Sequence, residues 1–236
     1  MPVGSGTPRQ RYRDQVRAEI KEAALAQMYI GGAEALSLNA VAKELGVTGP
    51  AIYKYFRSRD DLLTELVFDS YGEAAAAVRA EAERTPHRPP RERLHALAEA
   101  YRQWAIAAPH LFQLLAIMPS PTVDSPPETI ERAKGVLGPF LPVLGHGRTW
   151  PAAAELREQV QGWIDRRDAV ADWVRTYAPE ADPATALTGA LIVWVRLHGV
   201  VSLEIQGKFT GMGHQPATLL TVEMESIADS MALPTT

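Results

Sequence analysis

The chain of 236 residues contains no cysteine. Disulfides, thiolate nucleophiles and Cys-ligated zinc or iron–sulfur sites are thereby excluded. Histidine is also sparse: the six present are scattered, with no His-x-x-x-His pair. Glu92-Arg93-Leu94-His95 is a single Glu-x-x-His spacing, whereas a metal-loaded helical bundle needs two such motifs on facing helices. There is no Gly-rich phosphate loop and no nucleophile elbow. The sequence therefore calls for no catalytic residue, no metal site and no cofactor. The opening Met1–Pro8 is short and polar, unlike a signal peptide. No apolar run approaches the ~20 residues of a membrane span. The longest, around Ala190 to Ile205, is interrupted by Arg196, His198, Ser202 and Glu204. A cytoplasmic protein with no membrane partner is expected.

What the chain does have is a dense local pattern, SLNAVAKELGVTGPAIYKYFRSRDDLL, from Ser37 to Leu63. Ser37 is placed to cap a helix that starts at Leu38. Val41, Ala42 and Leu45 follow Leu38 at helical spacing and give that helix one apolar face. Gly46 supplies the left-handed residue that ends it. Val47 is the apolar residue inside the turn, where the two helices are expected to lock together. Thr48 is a second N-cap, and Pro50 falls in the first turn of the next helix, where a missing N–H costs little. Ala51 to Phe56 continue that helix, with Ile52 and Phe56 spaced i, i+4 toward a core. Ser58-Arg59-Asp60-Asp61 is a capping-box pattern that opens a third helix.

Two short helices joined by a tight Gly turn form a helix-turn-helix, whose second helix enters the major groove of DNA. Any small helical domain can contain a Gly-terminated helix followed by a capped one. The outward row favours nucleic acid: Tyr53, Lys54 and Tyr55, with Arg57 and Arg59 beside them, are groups that bond phosphate, as helix N-termini do. Charge is partitioned accordingly. Residues 1–60 carry nine Lys/Arg and six Asp/Glu, a net +3, while residues 61–236 carry −7, within an overall −4. A basic head presents itself to phosphate and an acidic body is kept off it. Arg9, Arg11, Arg13 and Arg17 form a basic run at the start of the first helix; it suits a flexible arm contacting backbone or minor groove, and equally a solvated N-terminus.

The segment from about Asp14 to Leu66 resembles the DNA-binding domain of the TetR family of transcriptional regulators. The resemblance rests on the GVT turn, the AIYKYF helix and the SRDDLL start of the following helix. It implies an all-α protein: a three-helix DNA-binding head on a larger helical ligand-binding and dimerisation body of about nine helices. The boundary is expected inside the fourth helix, with residues 1–68 as head and 69–236 as body. It also implies repression relieved by a small molecule. On this pattern Thr48, Gly49, Pro50, Ala51 and Lys54 lie nearest base edges, and Ser37, Tyr53, Tyr55 and Arg59 bond phosphates. The partner is then a palindromic double-stranded operator.

Beyond the head the periodicity is helical throughout, with no alternation bounded by hairpin turns. Helices are expected over 11–30, 58–84, 91–107, 110–118, 128–143, 152–176 (broken near Gly162 or Asp165), 184–208 and 217–231, with a four-proline loop over 119–127. Trp194, His198 and Gly199 stand in the order of the WHG-type C-terminal domain that accompanies some TetR regulators, and resemble it. Their helix is apolar almost all round, which indicates burial on more than one side. Gly199 inside a helix costs roughly 1 kcal/mol relative to Ala, and marks close approach of another helix. Homodimerisation through the last two long helices is expected; a core helix in a monomer would show the same pattern. Ligand pockets are mostly apolar with a few placed polar groups. Tyr101, Trp104, Phe112, Leu115, Met118, Trp163 and Trp194 are the candidate lining of a site for an unidentified small-molecule effector. His198 is a candidate polar group, with Gln103, Gln113 and Arg196. Ordinary core packing suits each of these residues as well. A non-regulatory architectural DNA binder would be uniformly basic, unlike this chain.

Overall fold

In a computed structural model, residues 7–117 and 127–235 are described, and every regular element among them is helical. The chain runs through α1 (Pro8–Gly31), α2 (Leu38–Glu44), α3 (Gly49–Ile52), α4 (Arg59–Arg84), α5 (Pro90–Ala107), α6 (Pro109–Ile117), α7 (Pro127–Leu137), α8 (Leu141–Leu144), α9 (Ala154–Arg166), α10 (Asp168–Tyr177), α11 (Pro183–Ile205) and α12 (Pro216–Ser230). Single 3-10 turns precede α2, α8 and α9. The all-α class is as expected. The expected proline loop over 119–127 lies outside the described residues as far as 126.

Helix starts follow the side chains available at each end. Thr7 caps α1 by accepting the Gln10 N–H at 3.2 Å, three residues earlier than the apolar pattern indicated. Asp182 caps α11, its carboxylate accepting the Thr185 N–H at 3.0 Å, and Pro183 occupies the first turn. The carboxyl is held below its usual range: partial burial opposes this, but bonds from Thr185 and Arg157 outweigh it. The break in the 152–176 segment falls at Arg167, which is extended (φ −141°, ψ 90°), rather than at Gly162 or Asp165. Gly162 sits inside α9 without ending it, since one glycine in a helix costs only about 1 kcal/mol.

The described residues form two compact units, one running to Ser70 and taking in α6, the other beginning at Tyr71 and holding the remaining helices. In the first, α1 packs on α2 and α2 on α3. Its interior holds Ile20, Ala24, Met28, Val41, Ile52, Phe56, Leu62 and Leu66, all buried. In the second, α11 is the central element and packs against α5, α8, α9, α10 and α12. Close approach is built in at Gly138, where any Cβ would collide with the Tyr177 ring.

α11 corrects one expectation. Counted from Pro183 it is 23 residues, and by length and composition it is apolar enough to cross a membrane. The charged residues lie near its C-terminal end and leave Pro183 to Val195 free of charge. Half of its most apolar stretch is buried inside the protein, as befits a core helix.

Ile52 and Phe56 are fully buried where α3 and the turn that follows it meet the first unit's core. Ile52→Ala should therefore cost about 2–5 kcal/mol, the range for large-to-small core changes. A denaturant melt followed on the first unit's tyrosines would measure it; a loss below about 0.5 kcal/mol would contradict the packing described.

Candidate nucleic-acid interface

The turn between α2 and α3 is made by Gly46, at φ +67°. Its N–H donates to the Lys43 carbonyl (3.2 Å), and the Val47 N–H donates to the Ala42 carbonyl (2.9 Å). This is a Schellman termination, which needs a left-handed residue and takes glycine without steric cost. The side chain of Val47 does not lock the helices together, because it is 40% exposed. The residue after the glycine closes the turn through its backbone. The lock is made by Val41, Ala42 and Ile52, which are buried.

α3 is shorter than the helix expected from the Thr48 cap through Phe56. It covers Gly49–Ile52 and continues as a tight turn in which the Lys54 N–H donates to Ala51 and the Tyr55 and Phe56 N–H groups both donate to Ile52. The next helix takes over at Ser58. The Ser58 hydroxyl accepts the Asp61 N–H (3.1 Å), and Asp61 reaches back to the N–H (2.9 Å) and guanidinium (3.0 Å) of Arg57. The expected box is thus closed onto Arg57 rather than Ser58. The Arg57 hydrogen bonds hold the Asp61 carboxyl below its ordinary range. Thr48 begins α3 without making a side-chain cap.

Thr48, Pro50, Tyr53 and Lys54 are exposed, while Gly49, Ala51 and Tyr55 are half-buried and Ile52 and Phe56 wholly so. One side of this short segment therefore carries a hydroxyl, a proline ring, a phenol and an ammonium into solvent. Ser37 and Arg59 are already engaged. The Ser37 hydroxyl accepts the Ala40 N–H at 3.4 Å, and its own N–H donates to Gln27 (3.2 Å). Arg59 Nε donates to the Leu36 carbonyl at 3.1 Å. The basic run at the N-terminus is not a loose arm: Arg9, Arg11 and Arg13 project from the first turns of α1, ordered by the Thr7 cap. Arg17 faces inward, a role that the sequence pattern did not reveal.

In the second unit, three of the candidate lining residues and the candidate polar group His198 form one cluster. Tyr101 lies 5.5 Å from Trp104 and 5.5 Å from Trp194, ring centre to ring centre, and Trp194 lies 4.9 Å from His198. The Tyr101 hydroxyl and His198 Nδ1 are hydrogen-bonded at 3.1 Å. Burial pushes the Tyr101 phenol up, aided by Tyr71, and the His198 imidazole down, so both are kept neutral. Trp163, on α9, is 40% exposed. Phe112 and Leu115 are buried on α6, which belongs to the first unit, and Met118 lies outside the described residues. Arg196 is bonded to Ser226 (3.1 Å) and Glu223 (3.3 Å) on α12. Beside the cluster stands an ion pair the sequence did not indicate: Arg102 grips Glu204 with two nitrogens (2.7 and 2.5 Å). Its only trace in the sequence is a glutamate near the end of an apolar helix.

Both parts of the chain match known protein families. Residues 20–66 match the family model described as bacterial regulatory proteins, tetR family, and residues 94–227 match that described as tetracyclin repressor-like, C-terminal domain. The chain is 30% identical over 200 residues to the HTH-type transcriptional regulator Mb1846 of Mycobacterium bovis, covering 84% of this chain and 83% of that protein. The crystal structure of regulatory protein SCO4313 is 39% identical, with a TM-score of 0.74 over 94% of this chain and 100% of that one. A protein from Rhodococcus sp. RHA1, 20% identical, shares the fold at a TM-score of 0.65 over 98% and 99% of the two chains.

The buried imidazole has a consequence for stability. An unfolded histidine titrates near 6.5, and folding lowers that value at His198. The unfolded chain thus binds the proton more readily, so the contribution is intact above about pH 6.5 and is lost as the pH falls through the folded value. The melting temperature should fall between pH 7.5 and 5.5, and His198→Gln should fall by less over the same interval. Equal pH dependence in both proteins would refute a buried neutral His198.

Proposed function

The chain belongs to the TetR family of transcriptional regulators, with a DNA-binding N-terminal part and a ligand-binding C-terminal part; from that premise we propose that it is a cytoplasmic homodimeric repressor released from a palindromic operator by a small apolar molecule. The observation that carries the DNA side is the division of the Thr48–Phe56 segment into a buried edge, Ile52 and Phe56, and an uncovered edge of Thr48, Pro50, Tyr53 and Lys54. Two copies enter successive major grooves about one helical turn (~34 Å) apart. Thr48, Gly49, Pro50, Ala51 and Lys54 meet base edges, with Pro50 and Ala51 offering apolar contact to a thymine methyl. Tyr53 and Tyr55, with Ser37 and Arg59 behind them, meet phosphates.

The dimer side is supported by apolar side chains left uncovered on α11 and α12: Val195 is 70% exposed and Val222 57%. A Cβ at Gly199 would meet nothing within 4 Å, which leaves room for a second helix to approach. The effector site is centred on Tyr101, Trp104, Trp194 and His198. An apolar effector suits rings whose only polar functions are kept neutral. By binding one conformation better than another, the effector shifts the population away from the one whose spacing fits the operator.

Lys54→Ala should weaken operator binding by about 1–3 kcal/mol, the scale of one base contact, with helical content unchanged. Titrations against the operator and a scrambled duplex at fixed salt would measure it, and wild-type affinity in the variant would refute the assigned segment. Val195→Glu should shift sedimentation from dimer to monomer and weaken operator binding; a variant that remains dimeric would place the interface elsewhere.

A further inference from the structure

The recognition segment is held from behind by one arginine. Arg17, on α1, donates a hydrogen bond to the Tyr55 carbonyl, the last backbone acceptor before the fully buried Phe56. Its guanidinium carbon lies 4.2 Å from the centre of the Phe56 ring, within cation–π range. Its second terminal nitrogen pairs with the Glu65 carboxylate on α4. Glu65 is held in turn by Lys21 at 3.0 Å, and Lys21 by Asp69 at 2.7 Å. Burial raises the Glu65 carboxyl, but the bonds from Arg17 and Lys21 outweigh it and leave it ionised. The Arg17 side chain is 22% exposed, and its carbonyl, aromatic and carboxylate contacts come from two elements other than its own. Arg9, Arg11 and Arg13, about one to two turns earlier, are exposed.

We infer that Arg17 is a positioning residue for operator recognition: it sets where the Thr48–Phe56 segment sits between α1 and α4 and makes no phosphate contact itself. This rests on the DNA reading proposed above and adds to it the residue that aims the segment. A four-residue helix cannot fix its own orientation, because isolated helices of this length are unstable in water. The side chains of Ile52 and Phe56 set the depth of the segment in the core, but the Tyr55 carbonyl is the point at which its backbone is tied to α1. A planar guanidinium can bond a carbonyl, pair with a carboxylate and stack on a ring at once, which an ammonium cannot do.

The test uses the full-length protein and the duplex that it enriches from a random library, with a scrambled duplex as control. Arg17→Met should lower affinity for the enriched duplex by about 10- to 100-fold, the scale of a lost charged hydrogen bond. Scrambled-duplex affinity and the slope of log affinity against log salt should stay as in wild type. Arg9→Ala or Arg11→Ala, if it meets a phosphate, should instead lower the slope by about 0.9 and both affinities together. Glu65→Gln gives a second, milder arm. Removing a negative charge from a DNA-binding head ordinarily strengthens binding to any duplex, yet here it should weaken binding to the enriched one, because Arg17 loses its anchor. In the DNA-free protein, amide exchange over Ile52–Arg57 should quicken in Arg17→Met and less so in Arg17→Lys. A slope reduced by about 0.9 in Arg17→Met, unchanged affinity for the enriched duplex, or unchanged exchange over Ile52–Arg57 would each overturn the assignment. If the wild-type protein enriches no duplex, the DNA reading fails, while the exchange measurement still decides whether Arg17 holds the segment.

Discussion

A helix of four residues is too short to hold itself. Zimm–Bragg nucleation makes any isolated helix below about 12–15 residues marginal in water, and α3 covers only Gly49–Ile52. Every feature of the first unit that bears on DNA follows from that constraint. The start of α3 is delivered by the Gly46 turn, whose two backbone bonds leave no freedom in the direction of the chain. Its end is taken over by the Ser58 cap and the Arg57–Asp61 pair that open α4. Its inner edge is buried through Ile52 and Phe56. The outer edge is then left with nothing to do for stability, and that is where the hydroxyl, phenol and ammonium groups stand.

The second unit solves a different problem. α11 is so apolar that polar groups on it must be satisfied locally or remain costly. His198 is neutralised by burial and bonded to Tyr101, Glu204 is paired with Arg102, and Arg196 reaches Ser226 and Glu223 on α12. Three of the four polar side chains that interrupt the apolar run thus cross-link α11 to α5 and α12. The same bonds fix the aromatic cluster, because Tyr101 and Arg102 are neighbours on α5.

Much of this was legible in the residues. Caps and breakers act locally, so Ser37, Gly46 and Ser58 marked helix ends within a residue or two. The i, i+4 pair Ile52 and Phe56 was assigned to the core and is there. Misassignments arose where a local signal met a longer-range one. Val47 is apolar yet exposed, since the turn needs its amide and not its side chain. Arg17 belongs by sequence to a basic run, but only Glu65 and Tyr55, roughly 40 to 50 residues away, decide that it turns inward. Arg102 and Glu204 lie about a hundred residues apart, and no periodicity relates them. Phe112 and Leu115 carry the same apolar chemistry as Tyr101 and Trp104, and only the fold assigns them to a different compact unit.

The sequence by itself determined the helical class, most places where helices begin and stop, the helix-turn-helix and the outward Tyr53 and Lys54, because caps, glycine turns and 3.6-residue periodicity are properties of neighbours along the chain; Tyr55, expected outward, is half-buried. Tertiary structure decided which charges are spent inside and which are offered outside. A guanidinium is equally at home over a phenylalanine ring or on a phosphate, and the choice depends on which carboxylate, carbonyl and ring the fold brings within reach.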